Sequence, residues 1–340
     1  MSEEPVLKVE GLQTSFPLGG KDVPIVDGVS FALHPGRCLA LVGESGCGKS
    51  MTALSLMRLI PQPGSITGGD IFLEGEGLRS LSVPQMRSLR GKKMGMIFQE
   101  PMTSLNPVTR VGEQVIEAIR IHEKVSKRAA RARVIEIFRQ VGIPDAESRV
   151  EAFPHQLSGG LKQRVMIAMA LVLKPRVLIA DEPTTALDVT IQAQIIELMR
   201  ELMTETKTAI LLITHDLGVV NQIADDIAVM YAGRVIETGS RRRVLKFPQH
   251  PYTQGLLGAL PGRAERGQRL HEIAGIVPAP VHWPGGCRFR PRCDRAMEVC
   301  AESVPTLLPV GLEGSSEAND LELQGEGNHC CACYAVEEPS

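Results

Sequence analysis

The stretch Gly43-Glu44-Ser45-Gly46-Cys47-Gly48-Lys49-Ser50 constrains this chain more than any other, because it fits the pattern G-x-x-x-x-G-K-[ST] of a phosphate-binding loop. Residues 38–42 before it are an apolar run that suits a buried strand, and residues 52–60 after it favour a helix that ends at Pro61. Such a loop needs a strand before it and a helix after it, so a chance glycine-rich turn is the weaker interpretation. The sequence therefore predicts a site for a nucleoside triphosphate.

Each residue type in the loop has a chemical reason to be there. Glycines allow the backbone to turn, so that N–H groups point at phosphate oxygens at the positive end of the following helix. Lys49 would place a positive charge at the β- and γ-phosphates, and the Ser50 hydroxyl is positioned to ligate Mg²⁺. We assign nucleotide binding to the whole run, namely Gly43, Glu44, Ser45, Gly46, Cys47, Gly48, Lys49, Ser50 and Met51.

The composition limits the partners of the chain. Its 340 residues carry a formal net charge of −2, which gives no general attraction to nucleic acid or to anionic lipid. The longest apolar run, residues 165–173, is about half of a membrane span. The acidic residues 1–5 lack the features of a signal peptide. We expect a cytosolic chain whose role at a membrane would need a partner protein.

The order of elements predicts an α/β fold with a mainly parallel sheet. Residues 6–42 and 70–98 contain strand-like pieces, and residues 111–141 follow a helical pattern that Gly142 would cap. The helical segment is rich in Lys and Arg, but no aromatic residues interleave these charges. A solvated outer face is therefore a better interpretation than a nucleic-acid platform.

Two apolar strands end in residues that could act on a phosphate. Residues 176–182 end in Asp181 and Glu182; Asp181 could hold the Mg²⁺ that Ser50 also touches, and Glu182 is the candidate that orients or activates the attacking water. Residues 209–214 form another buried strand and lead to His215, which we expect to face the γ-phosphate. Ligands of such folds bind at the carboxyl ends of the strands.

Together, the phosphate loop, Gln99, Leu157-Ser158-Gly159-Gly160, Asp181-Glu182 and His215 resemble the ATP-binding cassette of ABC transporters. The resemblance covers about residues 5–245, and Ser158-Gly159-Gly160 is the signature that separates this family from other P-loop ATPases. It implies a P-loop (RecA-like) ABC ATPase core with an antiparallel β edge. Residues 1–245 would form the nucleotide-binding domain, with an inserted helical subdomain at about 99–165. Residues 246–340 would form a small cysteine-rich C-terminal extension.

The resemblance implies roles for the matching residues. Phe16 would stack on adenine, and Gln99 would sense Mg²⁺ and water and help to ligate the metal. His215 would contact the γ-phosphate and, with Gln99 and Glu182, complete the catalytic set. The residue after the signature glycines is often Gln in the family but is Leu161 here, and we do not infer inactivity from it.

The family also implies an assembly. Two cassettes meet head to tail with two ATP molecules between them, and Ser158, Gly159 and Gly160 of one cassette bind the nucleotide of the other. The loop Ala186-Leu187-Asp188 would contact the partner cassette. Hydrolysis then lets the two halves part, and this motion drives the membrane partner. The expected partners are a second, non-identical ABC ATPase subunit, two transmembrane permease subunits and a separate substrate-binding protein, with no nucleic acid. The chain would lie at the cytoplasmic face of the inner membrane.

Two segments resemble the ATPases of dipeptide, oligopeptide and nickel importers. One is His250-Pro251-Tyr252-Thr253, followed by Leu256-Leu257 and Pro261; the other is residues 101–107, directly after Gln99. The resemblance implies an ATP-hydrolysing subunit of an importer for peptides or related small solutes. The alternatives are a non-transport ABC ATPase of DNA repair or translation, and a module that binds ATP without turnover.

Six of the eight cysteines lie between Cys287 and Cys333, and in a reducing compartment such a cluster favours metal over disulfides. Four thiolates suit either zinc or an iron–sulfur cluster. The family resemblance favours a [4Fe–4S] cluster on Cys287, Cys293, Cys300 and Cys333. Cys330 and Cys331 leave the fourth ligand ambiguous. Residues 311–328, before the last cysteines, have the composition of a flexible loop.

Cys47 has two open interpretations. Its position near a helix N-terminus is one where thiols tend to become acidic and reactive, so that alkylation would block ATP binding. It could equally be a small residue that merely fits the loop.

Overall fold

The computed structural model describes residues 4–99, 105–184, 189–259, 273–310 and 329–336. The predictions made for residues 101–104, for Ala186-Leu187-Asp188 and for residues 311–328 lie outside these ranges. The chain divides into two compact units. The first unit comprises Met1–Lys8, Ala32–Cys38 and Ile71–Ile213, and the second comprises Val9–Phe31, Leu39–Asp70 and Thr214–Ser340.

The first unit contains a parallel sheet with the strand order β8-β7-β6, formed by Ala209–Thr214, Val177–Asp181 and Met94–Ile97. Every residue of β7 and β8 is buried. Short, continuous apolar runs are typical of strands that are covered on both faces, and the sequence predicted both strands on that ground. A short strand β5, Glu76–Gly77, pairs antiparallel with the end of β4, Ser65–Leu73.

Helices make up most of the rest of the first unit. The predicted basic helix at 111–141 is two helices, because Ser126 caps the start of the second one by accepting a hydrogen bond from the Ala129 N–H. The helices are α2 (Val83–Leu89), α3 (Val111–His122), α4 (Lys127–Gln140), α5 (Ala146–Arg149), α6 (Gly159–Leu171) and α7 (Val189–Thr206).

The basic residues of α4 lie opposite its apolar side. Val134 and Phe138 are fully buried, whereas Arg131 pairs with Glu151 at 3.2 Å and Lys127 pairs with Glu113 at 2.8 Å. These ion pairs are exposed to solvent and so contribute little stability. The distribution agrees with a solvated outer face.

The second unit holds most of β1 to β4 and the strands that follow β8. The strands not yet described are β1 (Leu7–Leu18), β2 (Lys21–Leu33), β3 (Cys38–Val42), β9 (Asp226–Tyr231), β10 (Arg234–Ser240), β11 (Leu308–Pro309) and β12 (Cys330–Cys331). They are arranged in the orders β2-β1-β4 and β11-β12-β10-β9-β3. Strand β3 runs parallel to β9, and β10 is antiparallel to both β9 and β12. The helices are α1 (Lys49–Leu56), α8 (Leu217–Ile223), α9 (Arg241–Lys246), α10 (Pro251–Gly258) and α11 (Val299–Glu302).

The C-terminal part of the second unit packs around an aromatic group formed by Tyr231, Tyr252 and Phe289. Their ring centroids lie between 4.7 and 5.4 Å apart, in edge-to-face arrangements. Among the described residues, no helix combines the length and apolar character needed to cross a bilayer. The domain boundary near residue 245 stays a prediction.

Candidate nucleotide-binding site

The phosphate loop joins β3 to α1 in the second unit, as the sequence predicts. Two of its glycines are required by close backbone approaches. A Cβ at Gly43 would lie 2.2 Å from the carbonyl oxygen of Met230, and one at Gly48 would lie 2.9 Å from that of Ile25. Gly48 also has a φ of 108°, which other residues rarely adopt. These contacts seat the loop against β9 and β2.

Lys49 lies inside the loop. It is 5% exposed, and its Nζ donates hydrogen bonds to the carbonyl oxygens of Gly43 at 2.7 Å and Glu44 at 2.9 Å. The cation is therefore held by the loop's own backbone, next to the start of α1. Ser50 follows it as the second residue of that helix and is half-buried.

Glu44 connects the phosphate loop to the C-terminal part of the chain. Its backbone N–H donates to the Tyr252 hydroxyl at 2.9 Å. Its carboxylate accepts two hydrogen bonds from the Arg292 guanidinium, at 2.7 and 3.1 Å. Sequence reasoning assigned Glu44 to nucleotide binding and missed these partners. It quoted Tyr252 only as part of a family motif.

Two other predicted residues belong to the second unit. Phe16 lies half-buried on β1, with its ring so close to Gly64 that a Cβ there would be 2.5 Å from the ring. His215 is exposed directly after β8. Asp216 follows it and caps α8 by accepting from the Gly218 N–H at 2.7 Å. The cap fixes the backbone immediately after His215.

The first unit brings Gln99 and Glu182 together. The Gln99 amide donates to the Glu182 carboxylate at 3.2 Å. Asp181 ends β7 and is 4% exposed. Glu182 has a φ of 47°, an uncommon value for a residue other than glycine, and its N–H donates to the Ile213 carbonyl at 2.8 Å. The turn after β7 is thus held in one conformation, with its carboxylate beside Gln99.

The signature residues open α6. Ser158 is the N-cap of this helix, with its hydroxyl near the Leu161 N–H at 3.4 Å. Nothing lies within 4 Å of a Cβ built at Gly159. Further along the helix, the buried Gln163 amide donates to the Pro183 carbonyl at 2.5 Å. The signature helix is therefore tied to the turn that carries Glu182, a link that sequence reasoning missed.

Comparisons with known proteins identify relatives of this chain. Residues 26–185 match the family described as ABC transporter, and residues 236–300 match the oligopeptide/dipeptide transporter C-terminal region. A putative peptide import ATP-binding protein of Brucella ovis is 48% identical over 91% of this chain and 95% of its own length. The dipeptide transport ATP-binding protein DppD of Bacillus subtilis is 50% identical over 89% of this chain and 90% of its own length.

This chain belongs to the ABC transporter family. Its fold is the ABC ATPase cassette, and as a member it binds ATP with Mg²⁺ and hydrolyses ATP. The dimeric structure of a bacterial ABC transporter cassette matches it with a TM-score of 0.63 and 25% identity, over 69% of this chain and 99% of that one. The dimeric structure of a post-hydrolysis state of an ATP-binding cassette, bound to ADP and phosphate, matches this chain with a TM-score of 0.64.

Six of the eight cysteines lie in the C-terminal part of the second unit. Burial and the nearby thiols of Cys287, Cys293 and Cys300 all raise the pKa of the Cys333 thiol. Burial and the thiols of Cys287 and Cys300 likewise raise the pKa of the Cys293 thiol. Among the described residues, however, no three His, Cys, Asp or Glu side chains are grouped closely enough to hold a metal ion.

Cys330 and Cys331 have different neighbours. They form β12, which pairs with β10 on one side and β11 on the other. The pKa of the Cys331 thiol is raised by burial, by Glu237 and by Cys333 and Cys330. The thiols that raise the pKa of Cys333 are Cys287, Cys293 and Cys300, the other three that the family resemblance implies as ligands.

Proposed function

We propose that this cassette hydrolyses ATP to power the import of peptides or related small solutes through a transmembrane permease. The observation that carries this proposal is the identity of about half of all residues with peptide and dipeptide transport ATP-binding proteins, over nine-tenths of the chain. The match of residues 236–300 to the C-terminal region of such transporters supports it independently of the ATPase motifs.

In the proposed mechanism, the backbone N–H groups of residues 43–51 and the Lys49 ammonium bind the phosphates. Ser50, Asp181 and Gln99 ligate Mg²⁺, and Phe16 stacks on the adenine. Glu182 orients the attacking water, and its hydrogen bond with Gln99 supports that role, because the amide fixes the position of the carboxylate. His215 contacts the γ-phosphate.

The second half of each ATP site comes from a partner cassette in this proposal. Ser158, Gly159 and Gly160 begin a helix of 13 residues, and a helix start is an anion-binding terminus. We infer that they bind the γ-phosphate held by a related, non-identical cassette. Two permease subunits and a substrate-binding protein complete the importer, at the cytoplasmic face of the membrane.

For the C-terminal region, we propose that Cys287, Cys293, Cys300 and Cys333 hold a [4Fe–4S] cluster, with Zn²⁺ as the alternative occupant. The effect of Cys287, Cys293 and Cys300 on the pKa of the Cys333 thiol supports the ligand set, and a bound metal would hold the sulfurs as thiolates. The bound metal would hold the C-terminal extension in its folded conformation, and it takes part in no step of ATP hydrolysis.

The experiment uses the complex of this chain with its permease and partner cassette, reconstituted in liposomes with the substrate-binding protein. Peptide should stimulate ATP hydrolysis and accumulate inside. Glu182→Gln should lower turnover by roughly a thousandfold or more while ATP still binds, and Glu205→Gln, an exposed site on α7, serves as the matched control. ATPase activity that DNA or ribosomes stimulate and peptides do not would overturn the proposal in favour of a role in repair or translation.

A further inference from the structure

Glu44 is the residue of the phosphate loop that contacts the C-terminal region. Its carbonyl, its N–H and its carboxylate each have a hydrogen-bond partner. The carbonyl accepts from Lys49, the N–H donates to Tyr252 and the carboxylate accepts from Arg292. We propose that Tyr252 and Arg292 are positioning residues that hold the phosphate loop in shape for ATP, so that the C-terminal region sets the affinity of this cassette for nucleotide. The inference rests on the proposed role of residues 43–51 in ATP binding.

Tyr252 is placed with little freedom. Its side chain is fully buried, and its ring packs edge-on against Tyr231 and Phe289. It is the second residue of α10, after Pro251, whose ring pre-sets the backbone for a helix start. Burial raises the pKa of the Tyr252 phenol, so the hydroxyl stays protonated. A hydroxyl held by a rigid ring on a fixed helix start is suited to anchor one backbone N–H.

Arg292 is anchored as firmly on the other side of Glu44. Its side chain is 5% exposed, and it meets the carboxylate in a two-pronged arrangement. Its guanidinium also donates to the carbonyl oxygens of Ala274 at 2.8 Å and Gly275 at 3.2 Å. A planar guanidinium with this many partners defines both position and orientation. Arg292 directly precedes Cys293, so the cysteine segment and the phosphate loop share this contact.

A buried carboxylate extends the connection to the end of the chain. Glu237 on β10 has no exposed surface, and it accepts the N–H groups of Gln249 at 2.8 Å and His250 at 3.0 Å. The same side chain contacts His329 Nε2 at 2.7 Å. His250 in turn accepts the Tyr252 N–H at 3.0 Å. Hydrogen bonds therefore run from His329, directly before β12, through the turn before α10 to the phosphate loop.

The consequence for ATP follows from what Lys49 must do. To reach the β- and γ-phosphates, Lys49 has to release the carbonyls of Gly43 and Glu44 that it now holds. The contacts of Glu44 with Tyr252 and Arg292 do not involve Lys49, so they stay in place and keep the start of the loop ordered. Without them, the loop would have to be ordered by ATP itself, and that cost would appear as weaker binding.

The test measures the binding of a fluorescent ATP analogue, MANT-ATP, to the full-length chain. Tyr252→Phe removes only the hydroxyl and should weaken binding about fivefold, the value of one net hydrogen bond. Arg292→Lys keeps the charge but loses the paired hydrogen bonds of the guanidinium to the carboxylate, and should weaken binding about tenfold. Tyr334→Phe and Arg295→Lys make the same chemical changes away from the loop and should leave binding unchanged. The Tyr334 hydroxyl shares a hydrogen bond with the Ser303 hydroxyl at 2.7 Å, and Arg295 is exposed.

Hydrogen exchange separates positioning from general destabilisation. In Tyr252→Phe, exchange of the peptide that contains residues 43–48 should rise selectively, with thermal stability close to that of Tyr334→Phe. In a double-mutant cycle, Glu44→Gln should add little to Arg292→Lys, because both disrupt the same pair.

Unchanged MANT-ATP affinity in Tyr252→Phe would overturn the inference, even where Arg292→Lys fails to fold. Lys49→Ala distinguishes a failure of the positioning role from a failure of the proposed ATP site. If Lys49→Ala abolishes binding while Tyr252→Phe and Arg292→Lys have no effect, only the positioning role fails. If Lys49→Ala also leaves binding intact, the proposed ATP site itself is wrong.

Discussion

At the scale of single residues, Cys47 shows how burial outweighs local charge. Its place at a helix start beside Lys49 suggested an acidic, reactive thiol. The side chain is 1% exposed, and although Lys49 Nζ lies 3.7 Å from the sulfur, burial raises the pKa of the thiol more than the lysine lowers it. Of the two interpretations left open by the sequence, the structure therefore favours a small side chain that fits the loop over an acidic, reactive thiol.

This environment predicts slow chemistry at Cys47. Because the thiolate is the reactive species and the sulfur is covered, iodoacetamide near neutral pH should modify Cys47 at least about tenfold more slowly in the native chain than in the urea-unfolded chain. Peptide mass spectrometry after timed quenching measures the rate. Native Cys47 that reacts as fast as in the unfolded chain would contradict the buried placement.

Among the helices, α10 depends at its start on a buried, neutral histidine. His250 is the N-cap of this helix, and burial lowers its pKa to about 4, with Glu237 opposing the shift. The unfolded chain takes up a proton on this histidine below about pH 6.5, whereas the folded chain resists it down to about pH 4. Stability that is complete above pH 6.5 is thus lost as the pH falls towards 4.

The pH dependence can be isolated with His250→Asn, since Asn is also a good N-cap but does not titrate in this range. Between about pH 7.5 and about pH 5, the wild type should lose roughly 2 kcal/mol more unfolding free energy than the variant. Urea unfolding at both pH values measures the difference. Contributions from groups that do not interact with residue 250 are common to both proteins and cancel. Equal losses in the two proteins would show that His250 is not held neutral by burial.

Helices and strands could be predicted where a short stretch of sequence specifies them. β8 was predicted at residues 209–214 and lies at Ala209–Thr214, because a short apolar run bounded by polar residues specifies a buried strand. α1 was predicted to reach residue 60, yet it ends at Leu56, and Arg58 adopts a positive φ of 49°. The break between α3 and α4 also escaped the periodicity, although Ser126 followed by helix-forming residues was a usable N-cap signal.

At the scale of the whole chain, the sequence predicts residues for the ATP site but not the contacts that hold them. The phosphate loop and the signature are contiguous motifs, and the resemblance to the family adds Gln99 and Glu182 to them. The contacts of Glu44 with Tyr252 and Arg292 span 208 and 248 residues. Periodicity and capping report only on neighbours along the chain, so no such signal could pair these positions. The same holds for Glu237 and His329, which are 92 residues apart.

The cysteines of the tail pose the last question at this scale, namely which of them hold the proposed metal. Close thiolates repel one another, and a bound cation removes that repulsion. Cys333 is influenced by Cys287, Cys293 and Cys300, whereas the only influence found for Cys330 is its own burial. Cys330 also lies on β12, paired with Thr238 of β10. These influences, together with the pairing of Cys330 within β12, favour Cys333 over Cys330 as the fourth ligand of the proposed metal.

Matched variants can decide this assignment. Cys333→Ser should lose most of the bound metal and make the tail sensitive to protease, whereas Cys330→Ser should retain both metal and protection, because a site with three of four thiolates binds far more weakly. Elemental analysis and visible absorbance of anaerobically purified protein measure the outcome. The opposite ranking would identify Cys330 as the ligand. Zinc in place of iron, with the same ranking, would overturn the iron–sulfur cluster while keeping the four thiolates. Equal metal content in both variants and the wild type would remove both Cys333 and Cys330 from the ligand set.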